Sequence, residues 1–196
     1  MNNINCLVVD DHPLVCAAIK NIVISNSNIK EVFLSTSFRK GLELIKNEKI
    51  GLLILDVNLA NKDGFDFLKR AKSSGYEGKV IIITGEDSSI YKRLSFQVGA
   101  DAFLNKSEGN DVILDTIQLV LKGYSFFKFD TSIYSDNKEQ LSCREASVLR
   151  LLLKGYSNRK IAELLSISDK TVSTYKARVL TKLNVNNIME LMNSKF

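Results

Sequence analysis

The chain has 196 residues, of which 45% are hydrophobic and 25% are charged, an ordinary composition for one or two folded domains in water. Its apolar runs are far shorter than the roughly 20 residues that cross a bilayer. Its first residues lack a basic segment leading into an apolar one. We therefore expect no membrane span, no signal peptide and a cytoplasmic location. The cysteines Cys6, Cys16 and Cys143 lie far apart without CxxC spacing, which favours buried reduced thiols over disulfides or a zinc site.

The net charge of +5 is concentrated near the C-terminus. Residues 1–133 hold 16 Lys and Arg against 16 Asp and Glu, whereas residues 134–196 hold 11 against 6. Such asymmetry is typical of a domain that binds a polyanion such as nucleic acid, but a solvated basic surface gives the same count. The charge alone leaves both interpretations open.

The first 123 residues alternate short strand-like runs with amphipathic segments of helical length. Strands are predicted at 6–9, 32–34, 52–55, 80–83 and 102–104, and helices at 14–24, 38–46, 65–71, 89–98 and 111–122. This (βα)5 alternation predicts a doubly wound α/β fold, with a parallel sheet covered by helices on both faces. In such folds a ligand binds at the carboxyl ends of the strands.

Polar side chains stand at those strand ends. They are Asp10 and Asp11 after the first strand, Asp56 after the third, Thr84 after the fourth, and Asn105 and Lys106 after the fifth. Carboxylates packed together repel unless a hard cation such as Mg2+ binds them, and such a site needs a phosphate partner. An oxygen of Asp56 could then attack a phosphoryl donor in line, giving an aspartyl phosphate. Each of these residues alone has an ordinary structural explanation. Their occurrence together at one edge of the sheet favours a site for phosphoryl transfer.

Four motifs in this region resemble the receiver domain of two-component response regulators over residues 4–123. They are VVDDHPL at 8–14, LDVNL at 55–59 followed by DG at 63–64, ITG at 83–85, and GADAFLNK at 99–106. The resemblance implies that Asp56 is the phosphoacceptor and that Lys106 binds the phosphoryl group. It also implies that Thr84 and Phe103 change position on phosphorylation. Mg2+ would be held by Asp10, Asp11, Asp56 and the backbone carbonyl of Asn58.

Two positions depart from the family pattern, which usually has Pro where Ala60 stands and often Ala where Gly85 stands. The first departure could loosen the loop after Asp56, and the second adds backbone freedom beside Thr84. Neither removes a reacting group, so an active receiver is expected. The only histidine, His12, is interpreted as solvated and not catalytic.

The last third of the chain predicts an all-α helix-turn-helix unit. Ser142 and Glu145 fit a capping box at the start of one helix. Ser157 would cap a second, a turn at Ser166-Ile167 follows, and Ser168 would cap a third helix over 169–183. On that third helix an apolar face is formed by Val172, Tyr175, Val179 and Leu183. The opposite face carries short side chains and basic ones, as expected of a helix that binds DNA. An ordinary amphipathic helix would show the same single apolar face, so the pattern alone leaves both interpretations open.

The segments LSCRE at 141–145, GYSNRKIA at 155–162, LSIS at 165–168 and KTVSTY at 170–175 resemble the LuxR/NarL type of DNA-binding domain. Together with the receiver they resemble the NarL/FixJ subfamily, with the BvgA/EvgA branch closest in appearance. The predicted domains are 1–123, a linker at 124–137, and 138–196. The connector is too aromatic for a flexible linker, so part of it is expected to pack against a domain. Predicted DNA contacts are Lys170, Ser173, Thr174, Lys176, Ala177, Arg178 and Lys182.

These features predict a transcriptional response regulator that is not a turnover enzyme. A sensor histidine kinase, or its phosphotransfer domain, would phosphorylate Asp56, and the chain would bind double-stranded promoter DNA as a homodimer; RNA polymerase is a further candidate partner. Phosphorylation could act through receiver dimerisation or through release of a covered recognition helix.

Two enzyme classes fit the sequence poorly. A phosphohydrolase would need a second acid two residues after Asp56, where Asn58 stands. A nucleotide-binding oxidoreductase would need GxGxxG where DDHPLV stands. The remaining alternative is a phosphorylation-independent DNA-binding regulator with a vestigial receiver.

Overall fold

The computed structural model describes residues 3–59, 62–85, 89–128 and 141–193. These residues form two compact units, an N-terminal α/β unit and a C-terminal helical unit, each described by itself below. Among the described residues, no helix combines the length and the apolar character that a membrane span requires.

The N-terminal unit is built on a five-stranded parallel sheet with the strand order β2-β1-β3-β6-β7. Its strands are β1 (Ile4–Val9), β2 (Ile29–Ser35), β3 (Ile50–Asp56), β6 (Lys79–Thr84) and β7 (Ala102–Asn105). Its helices are α1 (Pro13–Val23), α2 (Phe38–Asn47), α3 (Gly64–Ser73), α4 (Ser89–Gln97) and α5 (Asn110–Leu121). The predicted (βα)5 order is confirmed, and most strands extend one to three residues beyond their predicted ends.

One feature of this unit was not predicted. A short antiparallel hairpin of β4 (Asn58–Leu59) and β5 (Lys62–Asp63) follows β3 directly. Two paired residues on each side are too few to produce an alternating hydrophobic pattern. Ala60, the first departure from the family pattern, lies outside the described residues.

The core of the sheet explains the unbroken apolar strands. Central parallel strands covered by helices on both faces bury nearly all of their side chains, and residues 52–56 of β3 are at most 2% exposed. Cys6 and Cys16 are buried and free, as expected of reduced thiols. Burial raises the pKa of Cys6 to about 12, so this thiol stays protonated and unreactive.

Part of the connector packs on the α/β unit, as its aromatic composition predicts. The Phe126 amide donates to the carbonyl of Asp101 at 2.9 Å, and the Phe103 amide donates to the carbonyl of Phe126 at 3.1 Å. Phe126 thereby covers the open edge of β7 and packs against the core. The rest of the connector, from residue 129 to 140, lies outside the described residues.

The C-terminal unit contains α6 (Cys143–Leu153), α7 (Asn158–Leu165), α8 (Asp169–Leu183) and a short α9 (Ile188–Asn193) that was not predicted. Ser142 and Glu145 form the predicted capping box, and Ser157 and Ser168 cap the next two helices. Between α7 and α8, Ser166 adopts a left-handed conformation with φ 54°, and the Ile167 amide donates to Ala162. The helix, tight turn and helix predicted from the sequence are confirmed.

Candidate functional site

The strand register of the α/β unit brings the predicted carboxylates together. Val9 of β1 pairs with Leu55 of β3, so Asp10 and Asp56 follow side by side at the carboxyl edge of the sheet. The side chain of Asp10 is fully buried and that of Asp56 is 2% exposed. Two buried acids are therefore neighbours at the place where a doubly wound sheet binds its ligand.

Lys106, which follows β7, reaches both acids with one ammonium group. Its Nζ lies 2.6 Å from Oδ2 of Asp10 and 2.8 Å from Oδ2 of Asp56. The backbone amide of Lys106 donates to the carbonyl of Thr84 at 2.7 Å, which fixes the start of this side chain against the end of β6. The predicted convergence of Asp10, Asp56 and Lys106 is thus seen in the structure.

These contacts perturb the titration of both partners. Burial raises the pKa of Asp56, and the hydrogen bond and positive charge of Lys106 oppose that rise. Burial alone would lower the pKa of Lys106, but its hydrogen bonds to Asp10 and Asp56 outweigh that effect and the pKa is raised. Lys106 therefore stays a cation at neutral pH, next to an acid whose charge burial disfavours.

The acidic edge has the donor set of a divalent-cation site. Ligand atoms of Asp10, Asp11, His12 and Asp56 all lie within 4.8 Å of one another. Lys106 contacts Oδ2 of Asp56, whereas the other carboxylate oxygen, Oδ1, is buried and accepts no hydrogen bond from Lys106. A buried carboxylate oxygen that the ammonium does not reach is available to a bound cation, and oxygen ligands are those that Mg2+ prefers.

His12 lies closer to the acids than a freely solvated side chain would. Its Nδ1 is 2.8 Å from Oδ1 of Asp11 and 3.2 Å from Oδ1 of Asp10, although two thirds of the side chain is exposed. The His12 backbone amide also donates to Oδ1 of Asp10 at 2.9 Å. A backbone amide of the loop after β1 therefore fixes the side chain of Asp10.

The remaining predicted residues of this unit lie along the same edge of the sheet. Thr84 ends β6 and is fully buried, Phe103 lies in β7 and is 4% exposed, and Asn58 begins the hairpin after β3. Among the described residues Gly85 has open space around it, because a methyl group added there would meet none of their atoms within 4 Å. Its departure from the family pattern is therefore sterically neutral. The roles predicted for Thr84, Phe103 and Asn58 stay predictions.

The structure adds one residue that sequence reasoning did not single out, Gly64. A methyl group on Gly64 would overlap the carbonyl oxygen of Asp56 and lie 2.8 Å from Cα of Val57. The Gly64 amide donates to the carbonyl of Val57 at 2.8 Å, which folds the chain back against the acceptor residue. The DG motif at 63–64 was the available signal, because Asp63 caps α3 and the next residue must approach β3 closely.

In the helical unit, α8 presents two distinct faces. Val172 and Val179 are fully buried, and Tyr175 and Leu183 pack against the same apolar clusters, as predicted. The opposite face is exposed and carries hydroxyl, methyl and cationic groups, namely Lys170, Ser173, Thr174, Ala177 and Arg178. Lys176 is half-buried at the border of the two faces.

Two residues of the predicted DNA-binding set, Ser173 and Lys182, are seen to contact other helices of the unit. Ser173 accepts a hydrogen bond from Nδ2 of Asn158 at 3.1 Å, which links the start of α7 to the exposed face of α8. Lys182 was predicted to contact DNA, and its Nζ lies 2.9 Å from Oε2 of Glu145, a carboxylate that is 4% exposed. The structure thus places Lys182 in an intramolecular ion pair.

Comparisons with known proteins agree with this arrangement. The family model "Response regulator receiver domain" matches residues 6–118, and the model "Bacterial regulatory proteins, luxR family" matches residues 139–194. The Fimbriae Z protein of Salmonella typhimurium is 33% identical over 98% of this chain and 96% of its own length. The DNA-binding transcriptional activator EvgA of Escherichia coli K12 is 34% identical over 95% of each chain.

Solved structures support the same fold. RcsB from Salmonella enterica serovar Typhimurium, solved bound to a promoter in the presence of phosphomimetic BeF3-, superimposes with a TM-score of 0.79 at 22% identity, covering 98% of each chain. The match extends over both units, and it concerns the fold alone at this identity. From the two family models and the full-length relatives, the chain belongs to the response regulators that join a receiver domain to a LuxR-family helix-turn-helix domain.

Proposed function

We propose that this response regulator accepts a phosphoryl group on Asp56 and binds promoter DNA through the exposed face of α8. One observation carries the proposal: Lys106 contacts both Asp56 and Asp10 at the carboxyl edge of the sheet, where ligand atoms of Asp10, Asp11 and Asp56 lie within 4.8 Å of one another. The arrangement supports a site that accepts an anion and a cation together.

Asp10, Asp11, Asp56 and the backbone carbonyl of Asn58 would hold Mg2+; the carboxylate oxygens of the three acids lie close enough together to fit it. When bound, Mg2+ supplies positive charge beside the transferring phosphoryl group. The carboxylates of Asp10 and Asp11 flank the acceptor, and their negative charges would balance the positive charge of the bound Mg2+. His12 is near enough to Asp11 to orient its carboxylate.

The transfer step uses the carboxylate of Asp56 as nucleophile. One of its oxygens forms a bond to phosphorus while the bond from phosphorus to the donor nitrogen breaks, and the donor imidazole leaves with the electron pair. The ammonium of Lys106 lies where it can stabilise the phosphoryl oxygens. The donor is a sensor histidine kinase or its phosphotransfer domain. The chain is proposed to act as a switch, with no turnover beyond loss of the phosphoryl group to water.

Thr84 and Phe103 would transmit the structural change that phosphorylation of Asp56 causes. Thr84 ends the strand next to Asp56, so its hydroxyl can approach a phosphoryl oxygen, and Phe103 on the neighbouring strand would fill the space that is vacated. Both are buried, so a shift of one must be matched by its neighbours. Receiver dimerisation and release of the recognition helix are the two routes by which this shift would favour DNA binding.

On DNA, the start of α8 would enter the major groove. Ser173, Thr174 and Ala177 are exposed and short, which suits close approach to base edges and thymine methyl groups. Lys170, Lys176 and Arg178 carry charges that can reach phosphates. RcsB has been solved as two dimers bound to two DNAs. By analogy we propose that this chain binds paired half-sites as a homodimer in the cytoplasm, with RNA polymerase as a further partner.

The domain limits 1–123 and 138–196, joined by a linker at 124–137, belong to this proposal. The alternative is a regulator that binds DNA without phosphorylation and carries a vestigial receiver. The buried pair of Lys106 with Asp56 favours an active site, because a vestigial receiver has no reason to keep a costly buried carboxylate.

Labelling of the purified chain by acetyl phosphate tests the acceptor. Asp56→Asn should abolish Mg2+-dependent labelling, because the change removes the attacking oxygen and nearly keeps the volume. Asp115→Asn, on the exposed face of α5, is the matched control and should label as the wild type does. Equal labelling of Asp56→Asn would move the chemistry elsewhere, and an unlabelled wild type would favour the vestigial receiver.

A further inference from the structure

Lys182 and Glu145 form an ion pair that joins the end of α8 to the beginning of α6. The Lys182 side chain is 23% exposed and that of Glu145 is 4% exposed, so the pair is largely shielded from water. The pair lies where α6 and α8 pack, beside the apolar cluster of Leu141, Leu149 and Val179. Shielding strengthens the attraction between the charges and raises the cost of separating them.

Glu145 is itself fixed to the backbone and cannot follow a moving lysine. Its Oε2 accepts from the Ser142 amide at 2.7 Å, and the Glu145 amide donates to Oγ of Ser142 at 3.3 Å. Burial alone would raise the pKa of Glu145, but the Ser142 amide and Lys182 outweigh it and lower the pKa. The carboxylate is therefore a charged, rigid anchor at neutral pH, in the first turn of α6.

Lys176 provides a contrast on the same helix. It borders the apolar face of α8 on the side opposite to Lys182, at 100° per residue, and no ion pair of its ammonium is found within the described ranges. An ammonium committed to Glu145 cannot reach a DNA phosphate without breaking its pair, whereas the ammonium of Lys176 can. The two lysines, alike in charge and helix, are thus expected to differ in role.

We infer that Lys182 is a positioning residue for DNA recognition, which fixes the rotation of α8 against α6 through Glu145 and does not contact phosphate. This inference rests on the proposed DNA binding by α8. Its consequence is that the exposed face with Ser173 and Thr174 is oriented by a contact about two and a half turns away along α8. Loss of the pair would weaken binding to the preferred sequence more than binding to DNA in general.

The test measures binding of the full-length chain to a duplex obtained by in-vitro selection, and to a scrambled duplex, at several salt concentrations. Lys182→Met should weaken specific binding about three- to tenfold while the slope of log K against log salt stays unchanged. Lys176→Met should weaken binding to both duplexes and lower the slope by about one unit. Lys182→Arg should restore most of the specific affinity.

Glu145→Gln identifies the partner, because glutamine keeps the capping hydrogen bonds but removes the charge. It should reproduce the effect of Lys182→Met, and the double variant should be no weaker than either single one. A lowered salt slope for Lys182→Met, or additive effects in the double variant, would overturn the inference. An unchanged affinity and slope for Lys182→Met would overturn it as well.

Hydrogen exchange keeps the inference separate from the proposed function. Amides near the end of α8 should exchange faster in Lys182→Met than in Lys176→Met, whether or not DNA is present. If the wild type selected no duplex, the proposed DNA function would fail, while equal exchange in the two variants would overturn the role of the pair. If Lys182→Met did not fold, Lys182→Arg and Glu145→Gln would carry the same comparison.

Discussion

Replacing Gly64 by alanine should disturb the phosphoacceptor without touching any reacting group. The added methyl group would lie 2.8 Å from Cα of Val57 and would overlap the backbone carbonyl of Asp56. Ordinary contact needs at least 3.4 Å, so relieving the Val57 contact alone moves the first residue of α3 away from Val57 by about 0.6 Å, and relieving the overlap with the Asp56 carbonyl requires a larger shift. Overpacking of this kind costs about 1 to 3 kcal/mol. A shift of about 1 Å in a reacting group can cost about 100-fold in rate.

We therefore expect Gly64→Ala to lower the rate of acetyl phosphate labelling by about 10- to 100-fold and to lower the midpoint of thermal unfolding. Gly85→Ala is the matched control, because it adds the same methyl group on the same edge of the sheet where no atom lies within 4 Å. The control should label normally and be slightly more stable, since alanine restricts the unfolded chain. Normal labelling by Gly64→Ala would refute the view that this close approach fixes the acceptor.

Two further predictions concern charge and DNA contacts. Lys106→Met should lower the free energy of unfolding by about 2 kcal/mol at neutral pH, measured by urea titration, because Asp10 and Asp56 lose a charged hydrogen-bond donor; an unchanged stability would contradict this. In in-vitro site selection, Thr174→Ala should reorder the preferred bases, with about 1 to 3 kcal/mol per lost contact. Lys176→Ala should weaken all sequences alike, and a reordered profile for that variant would refute the assignment.

The fold of the α/β unit could be predicted from the sequence because its signals are local and repeated. Five apolar runs alternate with five amphipathic segments, and parallel crossovers then leave few arrangements for the sheet. The polar residues at the strand ends could be predicted to meet for the same reason. The hairpin after Asp56 could not, since residues 58–63 contain too few paired positions to show a period.

Contacts between distant segments were the part that the sequence did not reveal. Lys182 and Glu145 are 37 residues apart, and both read as ordinary surface charges, so only packing of α8 on α6 makes them partners. The close approach of Gly64 to Asp56 likewise depends on how the hairpin folds back. Caps, by contrast, are set within four residues, which is why Ser142, Ser157 and Ser168 were predicted correctly.

The acceptor itself should reduce the stability of the receiver. Burial raises the pKa of Asp56 in the folded chain, so the folded state binds this proton more tightly than the unfolded state does. The stabilisation from this protonation is fully present below the unfolded pKa, about 3.9. It is lost as the pH rises through the higher folded pKa. At neutral pH the charged side chain therefore opposes folding, except as far as Lys106 or a bound cation compensates for it.

It follows that Asp56→Asn should raise the free energy of unfolding at pH 7 without divalent cations, although it abolishes phosphorylation. The gain should shrink as the pH is lowered toward 4, because the wild-type carboxyl is then protonated in the folded state and no longer carries a buried charge. Lys106 would keep its 2.6 Å contact with Asp10 in the variant, so its ammonium stays paired. Urea titrations of both proteins from pH 4 to 8, with Asp115→Asn as an exposed control, measure the difference. A gain that does not depend on pH would show that the charge of Asp56 is not its cause. A variant that is less stable than the wild type at pH 7 would show that Lys106 compensates fully for the buried charge. The receiver would then keep its acceptor at no cost in stability, contrary to what the burial of Asp56 predicts.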